Sequence, residues 1–193
     1  MHGVGDVRFF DRIAPLYDLV MPSAEAETLN AALARADNPV ERVVDIGGGS
    51  GRATLALDAP ERIVLDRSAG MLGRAQNRGL DCVRGDARSL PFDDDSVDAV
   101  TVVDAFHHMP NQQTVAEEVY RVLAPGGVFA ISEFDPETLL GKGLVVAERL
   151  VGFGSSFAAP RELARFLERV GFEVSLLDTG FEYTMVAKKR ESH

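Results

Sequence analysis

The 193-residue chain has one cysteine, Cys82, no tryptophan, and three lysines, Lys142, Lys188 and Lys189. A lone cysteine excludes an internal disulfide framework and a cysteine-built metal cluster, and no third ligand stands at a spacing that would complete a metal site, so none is expected. No apolar run approaches the roughly 20 residues that a membrane span needs. The N-terminus shows no apolar signal core, so a cytoplasmic location is expected. Positive charge is also scarce: 20 Lys+Arg against 30 Asp+Glu leave a formal net charge of -10. Phosphate binding needs a basic face, which excludes DNA or RNA as the main partner. Repeats and low-complexity segments are absent. With 46% hydrophobic residues, the chain has enough apolar surface for a full core, and it reads as one domain over 1–193.

Short apolar strands alternate with helical patterns. Two helices lead, over 6–20 and 23–36, and strands follow over 42–46, 62–66, 81–84, 97–103, 128–132, 172–177 and 183–188. Helices are predicted over 68–78, 112–123, 144–151 and 160–170, the last opened by Pro160 and stopped by Gly171. Asp178-Thr179-Gly180 is too short to join parallel strands, so the last strand runs antiparallel to its neighbour. The expected fold is α/β: a Rossmann-like seven-stranded sheet, six strands parallel and one antiparallel, with helices on both faces.

The run Val43-Val44-Asp45-Ile46-Gly47-Gly48-Gly49-Ser50-Gly51 turns an apolar strand into a glycine loop. Ala53 to Leu57 after it reads as the start of a helix. Such a loop lets a nucleotide cofactor lie against the main chain. A dinucleotide site would want G-x-G-x-x-G, but the glycines here fall at Gly47, Gly49 and Gly51. Asp45 stands where a carboxylate would repel a pyrophosphate. The same carboxylate favours a cation, and S-adenosylmethionine carries a sulfonium and an ammonium and no phosphate. Asp66, Asp86 and Asp104 follow the next three strands. Ligands of open α/β sheets sit at these carboxyl ends. There Asp66 can accept from ribose hydroxyls and Asp86 from an adenine amino group.

Taken in order, several segments resemble the class I S-adenosylmethionine-dependent methyltransferases, in their type-11 group. They are Phe9 to Asp18, Val43 to Gly51, Val64 to Leu72, Gly85 to Phe92, Ser96 to Val100 and Glu118 to Gly127. The group includes the ubiquinone/menaquinone-biosynthesis enzymes. The resemblance implies a cofactor site made by Asp45, Gly47, Gly49 and Gly51 at the methionine end. Asp66 and Arg67 belong to the ribose side of that site. Met71, Asp86 and Ala87 flank the adenine, and Asp104 reaches toward the methionine. Tyr17 of the leading helices, which span 1–38, closes over the cofactor. It further implies methyl transfer that leaves S-adenosylhomocysteine. After the fourth strand the chain reads Asp104-Ala105-Phe106-His107-His108-Met109-Pro110 and lacks the Arg-Asn pair of the quinone enzymes, so a quinone acceptor does not follow.

In-line transfer from a sulfonium demands alignment above all, and a base only where the acceptor loses a proton. His107 and His108 are the candidates for that base. Glu133 and Asp135, after the fifth strand, face the expected acceptor side, though they read first as exposed loop acids. Residues 136–159 read as an apolar, glycine-hinged substrate lid carrying Leu140, Leu144, Val145, Leu150, Val151, Phe153 and Phe157. The lid suits a small apolar or aromatic acceptor. An inactive cofactor-binding regulatory module and, more remotely, a dinucleotide oxidoreductase are the competing classes.

Overall fold

The computed structural model describes residues 26–151 and 155–190, side chains from 147 to 151 excepted. The helix expected over 6–20, with Tyr17, and the lid position Phe153 lie outside that description, as do the side chains of Leu150 and Val151. The strands are β1 (Arg42–Ile46), β2 (Glu61–Asp66), β3 (Asp81–Arg84), β4 (Val97–Val103), β5 (Leu123–Phe134), β6 (Glu173–Asp178) and β7 (Glu182–Lys188). They form one seven-stranded sheet in the order β3-β2-β1-β4-β5-β7-β6. β7 runs antiparallel to both β5 and β6, and the other pairs are parallel. The expected six-plus-one sheet is therefore observed, and its order reverses between β1 and β4, where ligands of such sheets gather.

Five α-helices are described: α1 (Ala26–Leu33), α2 (Ala69–Asn77), α3 (Gln112–Val122), α4 (Leu139–Val151) and α5 (Pro160–Val170). Strand alternation decides which side chains each one covers. Val44, Ile46, Ile63, Leu65, Val100 and Ile131 face α3 and α5 through Val115, Val119, Leu163 and Leu167. The opposite face offers Val43, Ala99, Val128 and Val186 to Leu29, Ala32 and Leu33 of α1. Val64 on that face meets Leu72 and Ala75 of α2. The Ser68 hydroxyl caps α2 by accepting from the Met71 N–H at 3.1 Å. Among the described residues, no helix is long and apolar enough to cross a membrane.

Three expectations are corrected. The segment after the glycine loop forms only a 3₁₀ turn, Thr54–Ala56, and Leu57 is already extended. Pro60 disfavours helix at the residue before it, and β2 starts at Glu61, so the segment has no room for further helical turns. The strand expected to begin at Val128 begins at Leu123. Leu123 pairs with Val97, the chain bulges over Ala124–Gly127, and pairing resumes with Val128 opposite Ala99. The bulge is held by β7's continuation: Gly126 N donates to Lys189 O and Lys189 N to Gly127 O, both at 2.9 Å. The helix expected over 144–151 begins five residues earlier, at Leu139. Its first turn is held by the Thr138 hydroxyl, which accepts from Gly141 N at 3.0 Å.

One side-chain network fixes the loop between β3 and β4. Arg121 of α3 donates to the carbonyls of Leu90 and Phe92 and to Asp94 and Glu118, and Glu118 accepts from Leu90 N at 2.7 Å. Arg121→Ala should cost about 1–2 kcal/mol, the worth of charge-assisted bonds half-open to water. It should also speed amide exchange at Leu90. Unchanged exchange there would mean that the loop is held by something else.

Candidate active site

The glycine loop leaves β1 at the point where the sheet order reverses. Gly47, Gly49 and Gly51 have φ of 72°, 55° and 78°, a left-handed backbone that a side chain would strain. Gly48 has a different reason to be glycine: a Cβ there would lie 2.6 Å from the Asp45 carboxylate. Asp45 is fully buried directly beneath the loop. Thr54 Oγ1 donates to one of its oxygens at 2.6 Å and Thr101 Oγ1 to the other at 2.9 Å. Thr101 is Asp45's register partner on β4, so the two side chains share a face. Burial pushes Asp45 up to about 6, the two hydroxyls pull it down, and Asp66 nearby raises it.

Asp66, at the end of β2, steadies the loop from the side. One of its oxygens accepts from Gly49 N at 3.0 Å and the other from Ser68 N at 2.7 Å. Arg78 grips Ser50 through its carbonyl and hydroxyl, at 2.7 and 2.9 Å. Met71 is buried with its sulfur 3.9 Å from where a Gly49 Cβ would stand, so it lines the loop. Asp86 lies two residues past β3. Its carboxylate is forked by Arg88 at 3.0 and 2.7 Å, which holds it down at about 2. Arg67 adds to that lowering of Asp86. Ala87 packs on the core beside it.

Asp104 closes β4 with φ of 49°, a strained conformation for a residue with a side chain. Its Oδ1 is buried and has no hydrogen-bond partner among the described residues. Burial, then Glu133 and Glu182, push it up to about 7 against the pull of His107 and Arg52. The segment beyond it lies over the loop, for a Cβ on Gly47 would meet Ala105 at 3.0 Å and Met109 at 3.3 Å.

Glu133 corrects the reading of an exposed loop acid. It is 4% exposed, because β5 runs beyond its expected end and carries it inward. One oxygen accepts from the N–H of Phe106 and of His107, at 2.7 and 3.2 Å, and the other from His107 Nδ1. His107 is itself buried and stacks on Phe157 with ring centroids 4.2 Å apart. His108 meets Ser155 Oγ through Nδ1 at 3.1 Å. Asp135 lies beyond β5, where one of its oxygens accepts from Glu137 N at 2.8 Å.

The structure thus sets Asp45 and Asp66 against the glycine loop, brings Ala105 and Met109 over Gly47, and places Asp104 close to His107 and Glu133, while Asp86 and Ala87 follow β3. Thr54, Thr101 and the buried role of Glu133 were not read from the sequence. Thr101 left a signal, as the one hydroxyl inside an otherwise apolar stretch of β4. Thr54 left none.

The residues fit S-adenosylmethionine on the structure's own terms. The acid at the end of β2 flanks the loop, the buried Asp104 Oδ1 has no donor among the described residues, and the glycines leave bare backbone where a ligand can lie. Residues 44–131 match the family described as Methyltransferase domain. The chain is 36% identical to a demethylmenaquinone methyltransferase of Clavibacter sepedonicus over 79% of its own length and 70% of the relative's. It is 39% identical to a Mycobacterium ulcerans protein named "Probable phthiotriol/phenolphthiotriol dimycocerosates methyltransferase 2", over 54% of this chain and 43% of that one. A crystal structure from Thermotoga maritima, described as a SAM-dependent methyltransferase and possible histamine N-methyltransferase, superposes with a TM-score of 0.76. That likeness, at 23% identity, covers 95% of this chain and 99% of the other and bears on the fold. The chain belongs to the class I S-adenosylmethionine-dependent methyltransferases, in their type-11 group, and S-adenosylmethionine is its cofactor.

Proposed function

We propose that this methyltransferase acts on a small apolar or aromatic acceptor, through a group that gives up a proton to His107. The buried Glu133–His107 pair carries this reading. A carboxylate on Nδ1 fixes the ring's orientation and places the lone pair of the neutral imidazole on Nε2. Glu133 is thus a positioning residue and His107 the base. The pair stands beside the segment that covers Gly47, at the methionine end of the cradle. Bound S-adenosylmethionine supplies a methyl group on a sulfonium, an electrophile whose leaving group departs neutral. The chain's part is to hold the acceptor in line, keep water out and accept the proton.

The surroundings support an apolar acceptor. Phe157 covers one face of His107, and Phe134 and Phe181 lie 5.0 Å apart at the ends of β5 and β7. Leu139 and Leu140 of α4 are 89% and 68% exposed. The relatives named for demethylmenaquinone and for phthiotriol and phenolphthiotriol dimycocerosates are consistent with such an acceptor. Asp66 takes the ribose hydroxyls, and Asp104 Oδ1 takes the ammonium of the methionine end. Tyr17 closes over the cofactor, in a segment outside the described residues. A binding module without turnover would have no use for a buried base held by a carboxylate.

Three outcomes follow from this reading. With labelled cofactor and a panel of phenols, quinols and apolar lipids, His107→Asn should lower turnover by about 10²- to 10⁴-fold, the usual worth of a general base. Glu133→Gln should lower it less and shift its pH profile, and full activity in His107→Asn would remove the base from the account. Asp66→Ala should weaken S-adenosylhomocysteine binding by about tenfold or more, since it strands ribose donors. Unchanged affinity in a folded Asp66→Ala would place the ribose elsewhere.

The third outcome concerns pH. Folded Asp104 titrates near 7, against 3.8 as its ordinary value. The folded state therefore keeps a proton that the unfolded chain releases, and ligand-free stability should fall as pH rises from about 4 to about 7. Binding of an ammonium works in the opposite sense, because only the ionised carboxylate attracts it. Affinity for S-adenosylhomocysteine should tighten between pH 6 and pH 8, and Asp104→Asn should remove that tightening and reduce the fall in stability, leaving the share that Asp45 contributes below about pH 6. Calorimetric titration and thermal unfolding across that range would show it, and an unaltered slope in the variant would acquit Asp104.

A further inference from the structure

We propose that Thr54 and Thr101 hold Asp45 as a charged carboxylate beneath the glycine loop, and that this charge makes the site prefer the sulfonium cofactor to its neutral thioether product. The proposal rests on the cofactor assignment and is independent of the acceptor and of the base.

Asp45 is in an expensive place. It is completely buried, and among the described residues its oxygens are met by the hydroxyls of Thr54 and Thr101. An apolar residue would fill that position on the sheet face at less cost. Its two neighbours are arranged to keep it ionised: each oxygen receives one hydroxyl, from the turn after the loop and from the facing strand. Hydrogen bonds to the ionised form favour that form against desolvation. Asp66, the charged group that bears on Asp45 from β2, opposes it, so no neighbouring charge explains why the carboxylate should be there.

The carboxylate is also aimed. Its oxygen would touch any Cβ on Gly48, so a single thickness of backbone separates it from a ligand lying on the loop. A charge so placed, in a poorly screened interior, acts on the ligand through the loop without touching it. S-adenosylmethionine and S-adenosylhomocysteine share the adenosine, the ammonium and the carboxylate. They differ by a methyl group and by the positive charge on sulfur. A fixed negative charge under the loop therefore favours the cofactor over the product, which helps the product to leave. A clamp that merely shaped the loop would weaken both ligands alike.

This difference is the test. Dissociation constants for both ligands would be measured by calorimetry on wild type, Asp45→Asn, Thr101→Val, Thr54→Val and Thr101→Ser. The ratio of the S-adenosylhomocysteine constant to the S-adenosylmethionine constant should fall by about fivefold or more in Asp45→Asn and Thr101→Val. Thr101→Ser, which keeps the hydroxyl, should restore it. Should Thr101→Val fail to fold, Thr54→Val and the isosteric Asp45→Asn carry the comparison. A ratio unchanged in the folded variants, whether both constants move together or neither moves, overturns the proposal. Wild type that binds neither ligand would instead overturn the cofactor assignment.

Discussion

Asp45 is a fully buried carboxylate held by the hydroxyls of Thr54 and Thr101, with the bare backbone of Gly48 directly against it. Several local features follow from accommodating it. Thr101 must interrupt an apolar strand to reach it, Thr54 must turn back after the loop, and residue 48 must be glycine. Asp66 then fixes the loop from the side through Gly49 N. The loop is thus gripped from beneath and from its flank, and its outer surface stays open to a ligand.

The short crossover between β1 and β2 has a chemical counterpart. A phosphate cradle gains much of its strength from a helix beginning where the glycines end, with open N–H groups and a positive dipole end. Here that segment is a single 3₁₀ turn, and its threonine is spent on a buried acid. Negative charge below the loop and little helix above it suit a cationic ligand and disfavour a pyrophosphate. Beyond β4, Asp104 and the Glu133–His107 pair repeat the pattern of burial and charge. There Asp104 combines a left-handed backbone with a buried Oδ1 that has no hydrogen-bond partner among the described residues.

Much of this was legible in the residues. Strand alternation, the glycine run and the acids at successive strand ends gave the sheet and the cofactor side, because local patterns encode them. What was missed depended on contacts between distant segments. The strand expected to begin at Val128 begins earlier and bulges over Ala124–Gly127 because Lys189, far along the chain, pairs with it. Glu133 read as a loop acid because its burial depends on how far β5 extends and on a histidine 26 residues away. Thr54 gave no signal, since nothing in its neighbourhood announces that a turn will bring it to Asp45. The helix after the glycines was over-read by weighing its alanines and leucines above Pro60.

The central claim is that this cradle is built for a cationic, phosphate-free cofactor, and thermal unfolding with two ligands tests it most directly. A ligand at 100 times its dissociation constant adds about 2.7 kcal/mol, or about 5–10 °C for a domain of this size. S-adenosylhomocysteine, which keeps the ammonium, should raise the midpoint by that amount, and NAD should leave it unmoved. Stabilisation by NAD with none by S-adenosylhomocysteine would contradict the account.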